Sequence, residues 1–344
     1  ADTSLFVFHQ KSDTIYLLLY VDDVIITGNN SSLLDNFARK LNSEFATKDL
    51  DSLSYFLGLE ATLTFDGLFI SQLKYARDIL TRAQLLDSKS VHTPMVIFQH
   101  LTSDGPAFSD RTLYRSLVGA LQYLTTTHPD IAHAVNSVSQ FLHAPTTDHF
   151  LAVKRILRYV KGTLHFGLTF RPSAASGDIV AYSDVDWAGC PDTRRSTSGY
   201  SIYLGDNLVS WSAKKQPTVF RSSCESEYRA LATTAIELLW LTHLLHDLKV
   251  VSGDDTRLAT DLLKYPQWQV NGLSTCHSYE KLCASPTEGG LMCHRIHVCC
   301  NYENVFFLSN SVRYLLLRGR NPYRGRHLEV DQSPSPPTNL NLWP

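Results

Sequence analysis

Long apolar runs are missing from this sequence, and no stretch reaches the roughly 18 to 20 residues that a membrane-spanning helix needs. No basic, apolar, small-residue leader opens it either, so nothing marks the chain for secretion and an intracellular location is expected. A charge excess of either sign is absent. Lys and Arg number 31 against 33 Asp and Glu, a formal net charge of -2, so no global positive field draws phosphate in non-specifically. Cysteine is scarce through the first 275 residues, which hold only Cys190 and Cys224. The other five, Cys276, Cys283, Cys293, Cys299 and Cys300, crowd into the tail beside His277, His294 and His297. An odd total without a leader favours a reducing compartment over a disulfide framework. No Cys-x-x-Cys or His-x3-His pair supplies finger spacing, which leaves a zinc site unsupported.

Core-forming material, by contrast, is ample. Hydrophobic residues make up 44% of 344, which argues against wholesale disorder, and domains of about 150 residues imply roughly two of them. Charge is unevenly spread. Residues 1–60 carry nine acidic and four basic side chains, a local net of -5, whereas 151–171 carry Lys154, Arg155, Arg158, Lys161 and Arg171 with no acid. Strand-like runs are predicted at 5–8, 15–21 and 24–27, followed by a Gly28-Asn29-Asn30 stop and a helix over 31–45. Two further strands, 55–64 and 68–70, flank an Asp66-Gly67 turn. Helical periodicity then predicts 72–85, 110–127, 129–143 and 146–162, with Pro129 opening one helix and Gly162 capping the last. Strands at 179–183, 198–204 and 207–212 lead into a long helix over 224–248. The last 90 residues lose this order and end in a Pro/Ser-rich stretch at 333–338.

Two features carry chemistry. Asp22 and Asp23 stand together between two apolar strands, where adjacent carboxylates can project into one cleft and hold a hard divalent cation. Such a pair serves two-metal phosphoryl transfer. Asp is also common in hairpin turns because it bonds its own backbone, so the pair alone leaves both readings open. Lys154, Arg158 and Lys161 fall at i, i+4 and i+7 on one helical face. That stripe either tracks a nucleic-acid backbone through phosphate contacts or is a solvated face opposite Ile156, Leu157 and Val160.

A series of motifs surrounds these features. LYVDDVIITG occupies 19–28, YFLGL 55–59, SQLKYA 71–76, VHTPM 91–95 and YRSLVGALQY 114–123. HPDIAHAV follows from 128, RILRYVKGT from 155, AYSDVDWAGC from 181, RRSTSGY from 194, SWSAKKQPTV from 210 and ESEYRAL from 225. Over about residues 1–250 the series resembles, in order, the reverse transcriptase and ribonuclease H part of copia-type retrotransposon Pol polyproteins. It is also similar to retrotransposon-derived uncharacterised plant mitochondrial proteins.

The resemblance implies an α+β chain in four parts. These are a partial reverse-transcriptase palm over 1–70, a mainly helical thumb and connection over 71–176, an incomplete ribonuclease H-like α/β domain over 177–261, and a divergent, poorly ordered tail over 262–344. It assigns Asp22 and Asp23 to magnesium, the turn of Phe56, Leu57 and Gly58 to the primer strand, and Lys48 to the neighbourhood of the incoming nucleotide. The basic helix of Lys154, Arg158 and Lys161 would then bind nucleic acid. Implied partners are a primer–template or RNA/DNA hybrid and the remainder of a Pol polyprotein, without a membrane. In this family a further palm aspartate lies well upstream of the hairpin. This chain begins at Ala1, about 20 residues before the hairpin and without an initiator Met, so a fragment without independent polymerase activity is expected.

For the ribonuclease H part, the resemblance assigns Asp184, directly after an apolar strand, and Glu227 on the long helix as magnesium ligands. Asp186 and Glu225 are neighbours that could be mistaken for these ligands; Asp184 is preferred because it directly follows the apolar strand, and on a helix Glu225 and Glu227 lie about 200° apart, so only one can face the site. Asp261 matches a third carboxylate, and Glu329 and Asp331 match a closing motif whose separation from the rest implies that 262 to about 320 is an insertion, a frameshift or translated non-coding sequence. Two readings follow: residual magnesium-dependent hybrid cleavage, or a non-catalytic remnant that at most binds nucleic acid.

Overall fold

In a computed structural model the chain is described over residues 4–45, 47–96, 100–172 and 179–248, and at two short strands, 294–298 and 313–319. It is a mixed α/β structure of helices and antiparallel sheets. Strands β1 (Leu5–Gln10), β2 (Asp13–Tyr20) and β3 (Asp23–Gly28) pair consecutively as hairpins. The tail strand Arg313–Gly319 and β4 (Thr47–Ser52) follow β3 in the same five-stranded sheet. Helix α1 (Ser31–Glu44) starts where the Asn30 side chain accepts the Leu33 N–H at 3.2 Å. It lays Leu34 and Ala38 on Ile15, Val24 and Ile26 of the sheet.

The second sheet corrects one expectation. The predicted strand over 55–64 is broken into β5 (Tyr55–Phe56) and β6 (Leu59–Thr64). Leu57 and Gly58 between them take left-handed φ values of 49° and 81°, reversing the chain in the two-residue fashion of primed hairpin turns. The sheet continues through β7 (Gly67–Ser71) to β8 (Leu168–Phe170), which arrives after the whole helical region.

That region comprises α2 (Leu73–Arg82), α3 (Arg111–Leu124), α4 (Ala132–Ser139) and α5 (Thr147–Gly162). The predicted helix at 129–143 is shorter, because Pro129–Ile131 winds as a tight 3-10 turn before α4. Ile79 and Leu80, Leu117, Leu121 and Leu124, and Val153, Ile156, Leu157 and Val160 interleave in the largest core. Each such buried aliphatic contributes roughly 1.5–3 kcal/mol. Tyr114, with no exposed surface, donates its hydroxyl to the Val138 carbonyl at 2.7 Å. Gly162 is not the predicted cap. The helix runs through it to Thr163, and a Cβ on Gly162 would stand 3.2 Å from the Ser90 Cβ, so the glycine admits the 88–91 loop.

Strands β9 (Ile179–Val185), β10 (Thr197–Leu204) and β11 (Asn207–Lys215) precede α6 (Ser223–Asp247). Their sheet runs β11, β10, β9 and then the tail strand His294–Val298, all antiparallel. Ile179, Ala181 and Ile202 meet Leu238 and Leu241 of α6 in its core. Strand β9 extends two residues past its predicted end, which places Asp184 inside the strand. Polar ties join the parts: the Trp211 indole donates to the Thr125 carbonyl at 3.1 Å, and the Tyr16 hydroxyl donates to the Leu248 carbonyl at 2.7 Å. Two pieces of the 262–344 region are thus strands; the rest of it, like Asp261, lies outside the described residues.

Candidate functional site

The β2–β3 hairpin places Asp22 in its two-residue turn and Asp23 opposite Tyr20 at the first rung. Val21, also in the turn, is 83% exposed and holds a left-handed φ of 53°, an unfavourable conformation for a β-branched residue. Alternation along β3 buries Val24 and Ile26 under α1 and sends Asp23 to the other face. Asp22 is therefore exposed at the tip, and Asp23 is half-buried beside it, between Tyr20 of β2 and Arg318 of the tail strand in register. Lys48, on β4, is exposed.

Phe56 is buried, and the turn beside it offers Leu57 and Gly58 at the surface of the second sheet. Tyr123, at the end of α3, donates its hydroxyl to the Leu57 carbonyl. A Cβ on Gly58 would lie 3.4 Å from the Tyr123 ring. Sequence reasoning missed Tyr123; its only signal was its place in the YRSLVGALQY motif, where it read as an ordinary helical aromatic.

The basic stripe on α5 is more engaged than an open phosphate track. Lys154, Arg158 and Lys161 are all half-buried. Arg158 Nε donates to the Lys89 carbonyl at 2.7 Å, and the Lys161 ammonium donates to the Ser88 carbonyl. Lys154 Nζ sits 4.9 Å from the Phe150 ring centre. Arg158 and Lys161 pin the preceding loop to the helix, while Lys154 lies along its own helix. Among the described residues none of the three pairs with a carboxylate, so the positive charge persists while its reach is restricted.

The third constellation forms between β9 and α6. Asp184 faces Gly199 across the sheet, so no side chain covers it from that strand. Its Oδ1 is buried and accepts no hydrogen bond among the described residues. Burial first, and the Asp184 charge second, push the Glu227 carboxyl up to about 7. Two acids remote in sequence are therefore electrostatically coupled, with Glu227 partly desolvated. Their neighbours are occupied otherwise. Asp186 accepts the Thr197 N–H, although burial still raises its pKa. Glu225 accepts the Arg221 N–H at 3.0 Å, lies 3.3 Å from Arg229, and sits three residues after the Ser222 cap of α6. Among the described residues no three His, Cys, Asp or Glu side chains converge as a metal site.

Comparison with known proteins gives a consistent picture. Residues 1–97 match the model of the family described as reverse transcriptase (RNA-dependent DNA polymerase). The chain is 47% identical over 319 residues to the retrovirus-related Pol polyprotein from transposon RE1 of Arabidopsis thaliana, covering 92% of this chain and 20% of that protein. It is 50% identical over 226 residues to the uncharacterized mitochondrial protein AtMg00810 of the same plant, covering 66% of this chain and 94% of that protein. The Pol polyprotein from transposon TNT 1-94 of Nicotiana tabacum is 35% identical over 269 residues, or 74% of this chain. The chain spans about a fifth of the length of these transposon polyproteins. The RE1 match, at 92% of the chain, necessarily reaches past residue 261. No solved structure matches.

Proposed function

This chain belongs to the family of copia-type retrotransposon Pol polyproteins, and from that premise we propose that it is a nucleic-acid-processing segment whose best-supported activity is hydrolysis of the RNA strand in an RNA/DNA hybrid. In this reading residues 1–70 form part of a palm, 71–176 a thumb and connection, and 177–261 a ribonuclease H-like unit. The observation that carries it is the coupling of Asp184 and Glu227, two carboxylates placed so that charge on one raises the cost of charge on the other.

The residues present fit a magnesium ion. Asp184 has a buried oxygen without a donor among the described residues, and a hard divalent cation prefers such carboxylate oxygens. Asp184 and Glu227 would hold the ion, which when bound supplies Lewis acidity toward water and the scissile phosphate. The chain's own residues do the remaining work. Ser222 and Glu225 brace the first turn of α6, while Asp186 is committed to the Thr197 amide. The cations of α5 contribute a positive field toward the backbone of a primer–template or hybrid. The exposed tip of Asp22 and Asp23 and the Leu57–Gly58 turn would contact the primer strand. Only two carboxylates gather at that tip among the described residues, and this chain alone is proposed not to extend primers. Intracellular nucleic acid and the remainder of a Pol polyprotein are the proposed partners. Among the described residues no helix is long and apolar enough to cross a membrane.

The test is cleavage of a fluorescent RNA/DNA hybrid in magnesium by the full chain and its Asp184→Asn form. We expect the substitution to slow cleavage by at least ~100-fold, a common loss when a group that stabilises transition-state charge is removed. Equal rates in both proteins would sink the proposal. No cleavage by either would favour the second reading, a non-catalytic binding remnant. Primer extension by the chain alone would overturn the polymerase part.

A further inference from the structure

We propose that Tyr123 is a positioning residue: from the helical unit it locks the Leu57–Gly58 turn into the shape that meets the primer end beside the Asp22–Asp23 hairpin. The inference rests on the primer-handling reading given above.

The turn is a weak structure by itself. It places two successive residues in left-handed conformation, one of them a leucine, at φ 49° and 81°, and a non-glycine residue there is strained. Its flanking strand β5 has two residues, so the hairpin is closed by the rungs Tyr55↔Glu60 and Phe56↔Leu59 next to the turn. Leu57 is partly exposed and its carbonyl finds its donor outside the sheet, in the Tyr123 hydroxyl.

Tyr123 is suited to that task because it is itself held. Leu121 and Leu124, its neighbours on α3, have no exposed surface, and Tyr75 of α2 packs edge-on to its ring at 5.1 Å and 85°. The ring also lies against Gly58, where a Cβ would approach it to 3.4 Å. Burial chiefly, then Tyr75, Tyr55 and Tyr20, raises the pKa of its hydroxyl. Tyr20, the residue before the Val21-Asp22 turn, is therefore close enough to couple with it. Two elements meet α3 at this ring: the second sheet through Leu57 and Gly58, and α2 through Tyr75. Tyr20 and Tyr55 keep 40% and 43% of their surface exposed, leaving aromatic area on which a terminal base can stack.

The experiment compares the full chain with Tyr123→Phe, which keeps the ring and leaves the partly exposed Leu57 carbonyl to water. Binding of a labelled duplex with a recessed 3′ end is measured beside a blunt duplex of equal length. We expect about fivefold weaker binding of the recessed end only, the scale of one net hydrogen bond, with a melting temperature within about 2 °C of wild type. Unchanged recessed-end affinity overturns the inference, as does an equal loss on both duplexes, which a purely structural role would give. Hydrogen exchange of the 55–60 amides gives an arm independent of nucleic acid. Faster exchange in Tyr123→Phe supports the lock, and unchanged exchange overturns it. If wild type binds neither duplex, the primer-handling reading fails while this second arm still decides the lock.

Discussion

Asp22 with Asp23 and Asp184 with Glu227 are built on opposite principles. The first pair is adjacent in sequence, and a hairpin of local rungs carries it to an exposed tip. The second is joined only when a strand and a helix pack through Ile179, Ala181 and Leu238. Local assembly leaves Asp22 exposed and Asp23 only partly covered. Assembly through a core partly desolvates Glu227, and charge on Asp184 resists charge on it. A site that works through electrostatics gains from the second arrangement and is less stable for it when no cation is bound.

The largest expected effect tests that cost. The Glu227 carboxyl is raised to about 7 from its ordinary 4.5, so the folded chain binds this proton more tightly than the unfolded chain. Stability from this group is present below about pH 4.5 and is lost as pH rises through about 7. Glu227→Gln removes the penalty. In metal-free buffer at pH 8 it should be more stable than wild type by on the order of 1–2 kcal/mol, allowing for solvent screening, with no gain near pH 4.5. Identical denaturation curves at pH 8 would break the comparison.

A smaller effect separates Glu227 from its neighbour. Glu225→Ala forfeits the Arg221 N–H contact and the Arg229 ion pair at the start of α6, and should lower the melting temperature by ~2 °C. Hybrid cleavage should stay within about twofold of wild type, since the residue acts on the helix end. A collapse of cleavage in this variant would assign the chemistry to the wrong glutamate. Smallest of all are changes at the exposed tip. Asp22→Asn and Asp23→Asn should each alter stability by less than about 0.5 kcal/mol. Val21→Gly should raise it slightly by relieving the left-handed valine. Denaturant melts showing a large loss for either aspartate would mean the tip is buttressed from elsewhere.

These differences track what the sequence makes legible. The β2–β3 hairpin follows from alternation and a turn, and α1, α3, α5 and α6 follow from periodicity and polar caps at Asn30, Asp110, Thr146 and Ser222. The turn at Leu57–Gly58 is implied by the family resemblance but not by the strand pattern, because a two-residue reversal preserves the period of two and leucine gives no cue for positive φ. Strand β8 has three residues, too few to show a period. The basic stripe on α5 is legible as charge. Its engagement with the Ser88 and Lys89 carbonyls is not, because those acceptors lie some 70 residues away on another segment. Asp184 and Glu227 were nameable from motif position, but their mutual electrostatics exists only once β9 and α6 meet.

The pairing of β7 with β8 has a mechanical consequence. Ile70, where the chain is about to leave for the helical unit, is the cross-strand partner of Leu168, where it returns. The unit leaves and rejoins the sheet through two strands that lie side by side. The bonds from Tyr123 to Leu57 and from Trp211 to Thr125 lie away from that pair and act as latches. Releasing the unit would mean breaking bonds at both sheets, so the Leu57–Gly58 turn and the sheet that carries Asp184 are tied to the same helical unit.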